Sequence, residues 1–339
     1  MNTFVYIIKR LLLATVTLTV ILFASYCMLR LAPGDPTRSN MFGSEETGAA
    51  IDAEKGGLMG NEALKKKLHL DKPVIVGFAL WLKKVVLEND WGQSAAVEPG
   101  RDVLDLILER LPVTLTLNFW AILITYILAI PLGVFSAVYA NTWKDKSCEF
   151  ILFILYSLPV MWVGLLLQSY LCEGGTFNIF PLRGLSPAEP DKLNIWQLQW
   201  EKIRCYFLPV LCLTYGGFAG LSRYARGSML EVINSDYIRT AKAKGVSPWD
   251  ITWNHAFRNS LITLITLFGG LLPSLVAGSV IVEYIFNIPG MGSLSLLALS
   301  SRDYPLQMAL FAFSGILTLL GILLADLSYA LADPRIKLH

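Results

Sequence analysis

The sequence predicts an all-α membrane protein with six transmembrane helices and both termini in the cytoplasm. Three observations carry this prediction: the composition, six long uncharged intervals and the positions of Lys and Arg. Of 339 residues, 54% are hydrophobic and 16% are charged, whereas soluble domains carry about 25% charged residues. The net charge of +2 is too small to indicate a nucleic-acid binder, so membrane lipid is the expected surrounding and no nucleic-acid partner is expected.

The uncharged intervals define the predicted helices. Each interval holds roughly 18 residues or more, close to the ~20 that a helix needs to cross a bilayer. Six buried helices of this length in one soluble protein are a much poorer explanation, and apolar runs this long favour helices over barrel strands. The charged residues that bound the intervals are Arg10 and Arg30, Arg110 and Lys144, Glu149 and Glu173, Arg204 and Arg223, Arg258 and Glu283, and Asp303 and Asp326.

The distribution of basic residues sets the predicted orientation. If the six helices alternate in direction, most Lys and Arg of the short loops fall on one side, which the positive-inside rule places in the cytoplasm. The opposite side has Arg302 in its last short loop. The basic residues of the cytoplasmic side are Lys9, Arg10, Lys144, Lys146, Arg223, Arg226, Arg239, Lys242, Lys244, Arg258, Arg335 and Lys337.

Three parts follow along the chain. Residues 1–31 form the first helix, which we expect to be retained because "LRLAPGDP" follows it instead of a small-residue cleavage site. Residues 32–108 form an extended external segment, Gly-rich near 43–60 and with helical patterns at "VIVGFALWLKKVVLEND" and "VLDLILERLP". The first pattern predicts a helix on the outer membrane surface or in a small external subdomain. Residues 109–339 form a five-helix core with a cytoplasmic loop at 223–258.

Two predicted spans contain residues that permit bending. The third contains "SLPVMW", in which Pro159 should kink the helix. The fifth is rich in Gly and Pro, which suits either a moving pathway or ordinary close helix packing. The candidate hinge residues are Pro159, Gly269, Gly270, Pro273 and Gly278.

Ionisable residues near the spans are Arg30, Glu283 and Asp326. Such groups are costly at membrane depth and are often functional there. All three lie near predicted span ends, where snorkelling or capping explains them, so we expect structural roles.

Catalytic and cofactor-binding patterns are absent from the sequence. There is no G-K dipeptide and hence no P-loop, no H-E-x-x-H among three His, and no G-x-S-x-G. We therefore expect neither an enzyme nor a bound cofactor or metal. The five Cys form no C-x-x-C pair. Cys172 and Cys205 flank one loop, and they either pair in an oxidising compartment or are two unrelated apolar cysteines.

A polar stretch, "SDYIRTAKAKGVSPWD" from Ser235 to Asp250, interrupts the apolar segments. Ser235 or Asp236 can cap a helix that starts near Tyr237. Gly245 supplies the left-handed residue that ends it. A second helix then begins, with Ser247 as N-cap, Pro248 at its first position and Asp250 in the third position of a capping box.

The first of these two helices has the features of a docking element. Tyr237, Ala241 and Gly245 are spaced by four residues, so one face is aromatic at one end and small at the other. Arg239, Lys242 and Lys244 cover the other faces. This pattern is typical of a helix that enters a groove of a partner protein, although basic residues also suit a loop lying on anionic headgroups.

This stretch resembles the EAA loop of ABC-transporter permeases. Where the general pattern reads E-A-A, this chain reads Arg239-Thr240-Ala241, so only Ala241 and Gly245 match. The variant "DYIRTAKAKG…HAFRNSL", however, is similar to the dipeptide/oligopeptide-type permeases. Collinear segments extend the resemblance over almost the whole chain: "RLAPGDPT", "LDKP", "ERLPVTLTL", "IPLGV", "SLPVMWVGLLL", "IVEYIFNIPGMG", "RDYPL" and "LADPRIKLH".

The resemblance implies a permease subunit of a type I ABC importer in a bacterial inner membrane. Peptides are the commonest cargo that it implies, and nickel chelates and small sugars are handled by other relatives of this type. Its implied partners are a second homologous permease, two ATPase subunits that bind the ATP, and an external substrate-binding protein. The residues that it assigns to ATPase coupling are Tyr237, Arg239, Thr240, Ala241, Lys244, Gly245 and Asp250.

Two alternatives remain at this point. A stand-alone secondary transporter or channel should show ionisable residues near the membrane midplane and internal repeats, and neither is clear in the sequence. A membrane-anchored scaffold without a pathway should tolerate loss of the Gly and Pro residues in the third and fifth spans.

Overall fold

The computed structural model describes residues 3–31, 71–182, 184–185, 187, 192–268, 275 and 278–332. Twelve α-helices occur in these residues: α1 Thr3–Leu31, α2 Val74–Lys83, α3 Val103–Val138, α4 Trp143–Ser157, α5 Val160–Leu171, α6 Ile195–Ile233, α7 Asp236–Ala243, α8 Pro248–Asp250, α9 Arg258–Phe268, α10 Val280–Ile285, α11 Met291–Ser300 and α12 Tyr304–Ala332. Two π-helical segments, Lys84–Glu88 after α2 and Ile251–Phe257 after α8, extend their helices. Extended pairing in the described residues is limited to two isolated bridges.

Membrane-spanning character belongs to the long helices. Four of them are long and apolar enough to cross a bilayer: Ile8–Leu31 within α1, α3, α6 and Tyr304–Leu324 within α12. The pair α4 and α5 qualifies as one further span but is bent by 85°. The fifth predicted span falls partly on residues outside the description. The count of six, the location of the termini and the external position of residues 32–108 therefore stay predictions.

The chain forms two compact units, which are described separately. Unit 1 comprises Met1–Leu111, Leu294–Leu319 and Leu338–His339. Unit 2 comprises Pro112–Ser293 and Leu320–Lys337. The helices α3, α11 and α12 each contribute residues to both units.

The core of unit 1 is aromatic and joins α1, α2 and α12. Phe78 of α2 lies 5.3 Å from the ring of Phe23 and 5.8 Å from that of Tyr26, both on α1. Met308 and Ala312 of α12 complete the buried cluster. Phe78 is therefore the side chain through which α2 is buried against the chain's own helices, and this burial removes its ring from water.

A buried carboxylate fixes the loop of unit 1 that precedes α3. Asp303 is fully buried, and its Oδ2 accepts hydrogen bonds from the backbone N–H groups of Ala95 (3.0 Å), Ala96 (3.0 Å) and Val97 (3.1 Å) and from the Ser94 hydroxyl (2.5 Å). Its Oδ1 accepts from the N–H of Leu306 in the first turn of α12. One side chain thus accepts hydrogen bonds from the N–H groups of a turn and also caps the N-terminus of a helix.

The long helices of unit 2 pack with very close backbone contact. A Cβ placed on Gly133 of α3 would lie 2.5 Å from the carbonyl oxygen of Ser222 and 2.6 Å from the Cβ of Ala225, both on α6. Small residues at such crossings allow two helices to approach within van der Waals contact of each other's backbone. Around this contact Ala129, Leu221, Ala225 and Leu264 form a buried cluster that includes α9.

We predict that Gly133→Ala lowers the stability of unit 2 by about 1–3 kcal/mol, because the added methyl forces α3 and α6 apart. The measurement is thermal unfolding of the purified protein in detergent. Gly220→Ala on α6 is the matched control: nothing lies within 4 Å of its added Cβ, and Ala favours helix over Gly. Equal midpoints for the two variants would contradict the close contact.

Candidate functional site

The polar loop between α6 and α9 packs on a hydrophobic cluster formed by this chain. Ile238 of α7 is completely buried in a cluster with Val134, Met229 and Ala256. Ala241, on the same face of α7, packs against this cluster from its edge. The small residue predicted to enter a partner's groove is thus turned towards the chain itself, because the amphipathic α7 must bury the side that carries Ile238.

Gly245 ends α7 in the predicted conformation. Its φ is +77°, which Gly adopts without cost and which a β-branched residue adopts poorly. Its N–H donates to the Lys242 carbonyl at 3.0 Å, and the N–H of Val246 donates to the Ala241 carbonyl at 3.3 Å. Nothing lies within 4 Å of a Cβ added at this position, so the restriction comes from the backbone and not from space.

The second helix of the loop begins at the predicted cap. The Ser247 hydroxyl oxygen accepts from the N–H of Asp250 at 3.1 Å and donates to its carboxylate at 2.7 Å, with Pro248 at the first helical position. The other oxygen of Asp250 accepts from the Asn254 amide at 2.9 Å. At α7, by contrast, Ser235 occupies the N-cap without a side-chain cap bond, because its hydroxyl donates back to the Val232 carbonyl at 2.6 Å.

Tyr237 joins the two halves of the loop. Its hydroxyl accepts from the Asn259 amide at 2.6 Å and lies 3.5 Å from the carbonyl oxygen of His255. Its ring is 42% exposed. The hydrogen bonds hold α7 against the π-helical segment that leads into α9, and the ring faces outward.

The outer surface of the loop is basic and aromatic. Arg239 and Thr240 are exposed; Arg239 pairs with Asp236 at 3.3 Å in open solvent, and the Thr240 hydroxyl donates to the Asp236 carbonyl. Lys242, Lys244 and Gly245 are also exposed. Trp249 is 71% exposed, and its ring lies 5.6 Å from that of Trp253. We call this outer surface the coupling surface, after the role that the resemblance implies for the loop. It is made of Tyr237, Arg239, Thr240, Lys242, Lys244 and Trp249.

A buried ion pair supports the region beneath the loop. The guanidinium of Arg226 on α6 donates to both carboxylate oxygens of Asp145 on α4, at 2.9 and 2.7 Å. Asp145 also accepts from the N–H of Asn141 at 2.8 Å and from the Ser136 hydroxyl of α3. The carboxylate therefore ties the turn between α3 and α4 to the end of α6, and a bidentate Arg–carboxylate pair fixes both distance and orientation.

Pro159 lies at a sharp break and not within a continuous kinked helix. It is the N-cap of α5, and α4 ends two residues earlier. The angle between the two helices is 85°, whereas Pro alone typically kinks a helix that continues. The helix breaks here instead of kinking because the backbone of both Leu158 and Pro159 is extended, with ψ of 122° and 130°.

Gly278 has φ of +68° and lies against a buried carboxylate. Glu283 of α10 is fully buried and accepts from the N–H groups of Ser279 (3.3 Å) and Ser293 (2.8 Å) and from the Thr114 hydroxyl (3.1 Å). The Thr114 oxygen accepts in turn from the N–H of Met291 at 2.8 Å. Glu283 thus holds the turns on both sides of α10. The other three hinge candidates, Gly269, Gly270 and Pro273, lie outside the described residues.

The five cysteines are all free thiols. Cys172 and Cys205 are buried in unit 2, so the alternative of two unpaired apolar cysteines describes the structure.

The framework defines a multi-pass membrane protein with the type I ABC importer permease fold. The MetNI methionine ABC transporter, solved in inward-facing conformations, matches with a TM-score of 0.51 at 18% identity, over 68% of this chain and 97% of that chain. At 18% identity this similarity is evidence for the fold only.

The chain belongs to the family described as binding-protein-dependent transport system inner membrane component. That family matches residues 129–338, and its N-terminal counterpart matches residues 3–118. The oligopeptide transport system permease protein AppB of Bacillus subtilis is 36% identical over 98% of this chain and 99% of its own length. The dipeptide transport system permease protein DppB of the same organism and the inner membrane ABC transporter permease protein YejB of Escherichia coli O157:H7 are each 34% identical over 98% of both chains. The resemblance to dipeptide/oligopeptide-type permeases is confirmed.

The structure adds residues that sequence reasoning missed. Trp249 follows Pro248 in the polar stretch from Ser235 to Asp250. A Trp in such a stretch indicates a contact with a partner and could have been recognised from the sequence. Asn259 becomes relevant only through its contact with Tyr237. Asp145 and Arg226 are 81 positions apart, so no local pattern indicates that they pair.

We predict that Asp145→Asn lowers the free energy of unfolding by about 2–4 kcal/mol, because it leaves Arg226 without its buried counter-charge. Thermal unfolding in detergent measures this loss. Glu149→Gln is the control: its carboxylate lies 3.4 Å from Arg226 but is half exposed, so it should cost less than about 1 kcal/mol. The opposite order of the two losses would show that Asp145 is not the principal partner.

Proposed function

We propose that this chain is one of two permease subunits of an ATP-driven importer for peptides. It forms half of the translocation pathway and couples it to two ATPase subunits through the coupling surface. Peptides are proposed as cargo because relatives that match along their whole length are named oligopeptide and dipeptide permeases. In this proposal the partner subunits bind the ATP, and this chain supplies neither an ATPase site nor a cofactor.

The observation that carries the proposal is a loop between α6 and α9 that is anchored by its own contacts and exposes a basic and aromatic surface. Tyr237, Gly245 and Ser247 fix its shape by hydrogen bonds and turn geometry, and Ile238 anchors it to unit 2. A loop held this firmly keeps Arg239, Lys244 and Trp249 exposed. Basic residues around an aromatic anchor suit a groove in a folded protein with an acidic rim.

The role of each site residue follows from its place. Tyr237 and Asp250 hold the two halves of the loop, Ala241 seats α7 on its own chain, and Gly245 makes the turn. Arg239, Thr240 and Lys244 meet the partner. In this proposal the loop at 223–258 is cytoplasmic, residues 32–108 are external, six helices span a bacterial inner membrane, and an external substrate-binding protein delivers the cargo to the two permeases.

The pathway side of the proposal rests on the breaks in unit 2. Pro159 lies at the 85° break between α4 and α5, and Gly278 has a left-handed φ of +68°. We propose them, with Gly269, Gly270 and Pro273, as hinges. A stand-alone transporter or channel is the rival function, and no described feature favours it.

A pull-down from native membranes tests the proposal. The chain, solubilised in detergent, should bring down a second permease and an ATPase, and the eluate should hydrolyse ATP. Tyr237→Ala combined with Ala241→Arg should abolish this association. A chain that is purified alone, shows no ATPase activity and still transports in liposomes would overturn the proposal in favour of the rival.

We predict that Gly245→Val abolishes transport at normal membrane levels, because Val cannot adopt φ of +77° without strain and α7 is misplaced. Uptake of a labelled peptide by cells is the measurement. Gly245→Asn is the matched control, since Asn tolerates the left-handed region and the site has room for its side chain; it should retain most of the activity. Wild-type transport by both variants would refute the role of the turn.

We predict that Trp249→Ser weakens ATPase association about tenfold or more, as expected for an aromatic anchor at an interface. The amount of ATPase that co-purifies at a series of protein concentrations gives the affinity. Trp196→Ser changes another strongly exposed Trp, at the start of α6 (83% exposed), and should have no effect. If the two substitutions behave alike, Trp249 is not part of the coupling surface.

A further inference from the structure

Unit 1 contains a cavity of about 530 Å³ that the transport proposal does not use. It lies between the end of α1, the end of α2 and the start of α12. Its volume is within the range of about 300–1,000 Å³ that is usual for small-molecule sites. The residues that matter for the argument are Tyr26, Arg30, Trp81, Lys84, Trp91 and Tyr304.

The cavity wall carries two cations and two carboxylates. Arg30 donates to the Lys72 carbonyl at 2.6 Å, and its guanidinium lies 5.9 Å from the centre of the Tyr26 ring, so the charge is held in place. Lys84 opens the π-helical segment and is half-buried; such segments occur frequently at functional sites. On the acidic side, Asp90 accepts from the N–H of Gly92 and Asp102 from that of Leu104, which leaves each carboxylate capacity for a further donor.

A buried hydroxyl indicates a ligand. Tyr26 is 7% exposed and lines the cavity. Its hydroxyl is buried beside the Arg30 guanidinium, which can only donate, and the hydroxyl proton has no acceptor within the described part of the chain. A buried polar group without a partner costs about 1–3 kcal/mol, so a ligand with an acceptor at this point would recover that cost.

The cavity lies beside the ends of two apolar helices, where the sequence becomes polar. The uncharged run of α1 ends at Arg30, and that of α12 begins after Asp303. Trp81, Trp91 and Tyr304 surround these helix ends, and Trp and Tyr are enriched where a helix leaves the hydrocarbon core and meets the headgroups. Met28 and Leu31, on the same turns of α1, are among its most exposed side chains and offer an apolar track for an acyl chain.

We propose that this cavity binds the headgroup of a phospholipid that carries both a phosphate and a primary ammonium. Arg30 and Lys84 bind the phosphate, and the Tyr26 hydroxyl donates to it. Asp90 and Asp102 accept from the ammonium, so the charges of wall and headgroup cancel. An anionic lipid without an ammonium leaves the two carboxylates unmatched. A free dipeptide carries the same pair of charges but has no acyl chain.

Lipid binding to the full chain with its native partners tests this proposal. The assembly is stripped of lipid in detergent and examined by native mass spectrometry with phosphatidylethanolamine, phosphatidylglycerol or dialanine added. We expect one phosphatidylethanolamine per permease chain, bound about tenfold more tightly than phosphatidylglycerol. Tyr26→Phe and Lys84→Gln should each weaken it about tenfold, whereas Lys83→Gln, an exposed neighbour outside the cavity, should not.

Thermal unfolding distinguishes a loss of lipid binding from a loss of folding stability in these variants. Without lipid, Tyr26→Phe should unfold at the wild-type temperature or above it, because it removes a buried hydroxyl whose proton has no acceptor. With phosphatidylethanolamine added, it should gain less stability than the wild type. Equal retention of both lipids by wild type and variants would overturn the proposal, as would dialanine binding that excludes the lipid.

Discussion

The constraint on which this structure depends is the need to satisfy backbone N–H groups wherever a helix breaks inside the protein. In water an exposed turn donates to solvent, but a buried turn in a membrane protein has no such partner. Here three buried carboxylates take that role. Asp303 accepts from three successive N–H groups in unit 1, and Glu283 and Asp145 accept from turns in unit 2.

These carboxylates are charges that the sequence places at span ends or in short loops. A buried carboxylate is expensive unless it is fully hydrogen-bonded, and each of the three has at least three donors. Because each binds two elements that are distant in sequence, the turns keep one geometry.

The helices and the loop's turn could be predicted from sequence because both depend on local patterns. Uncharged runs define α1, α3, α6 and α12, and Gly245 and Ser247 have local signatures for a C-terminal turn and an N-cap. The 85° break at Pro159, the partners of Asp145 and the inward position of Ala241 depend on contacts between distant segments. Spacing by four residues grouped Tyr237 with Ala241, but it could not tell which side Ile238 would bury.

The anchoring of the loop bears on how coupling could work in the proposed importer. Two-state coupling needs an element whose position both sites bias. Because Ile238 is buried among residues of α3 and α6 and Tyr237 is bonded to Asn259 at the start of α9, a force on the coupling surface is not absorbed within the loop. It passes to α6 and α9 together, and α9 leads towards the Gly- and Pro-rich stretch. In the proposed importer, a displacement of the loop therefore becomes a displacement of α6 and of the start of α9.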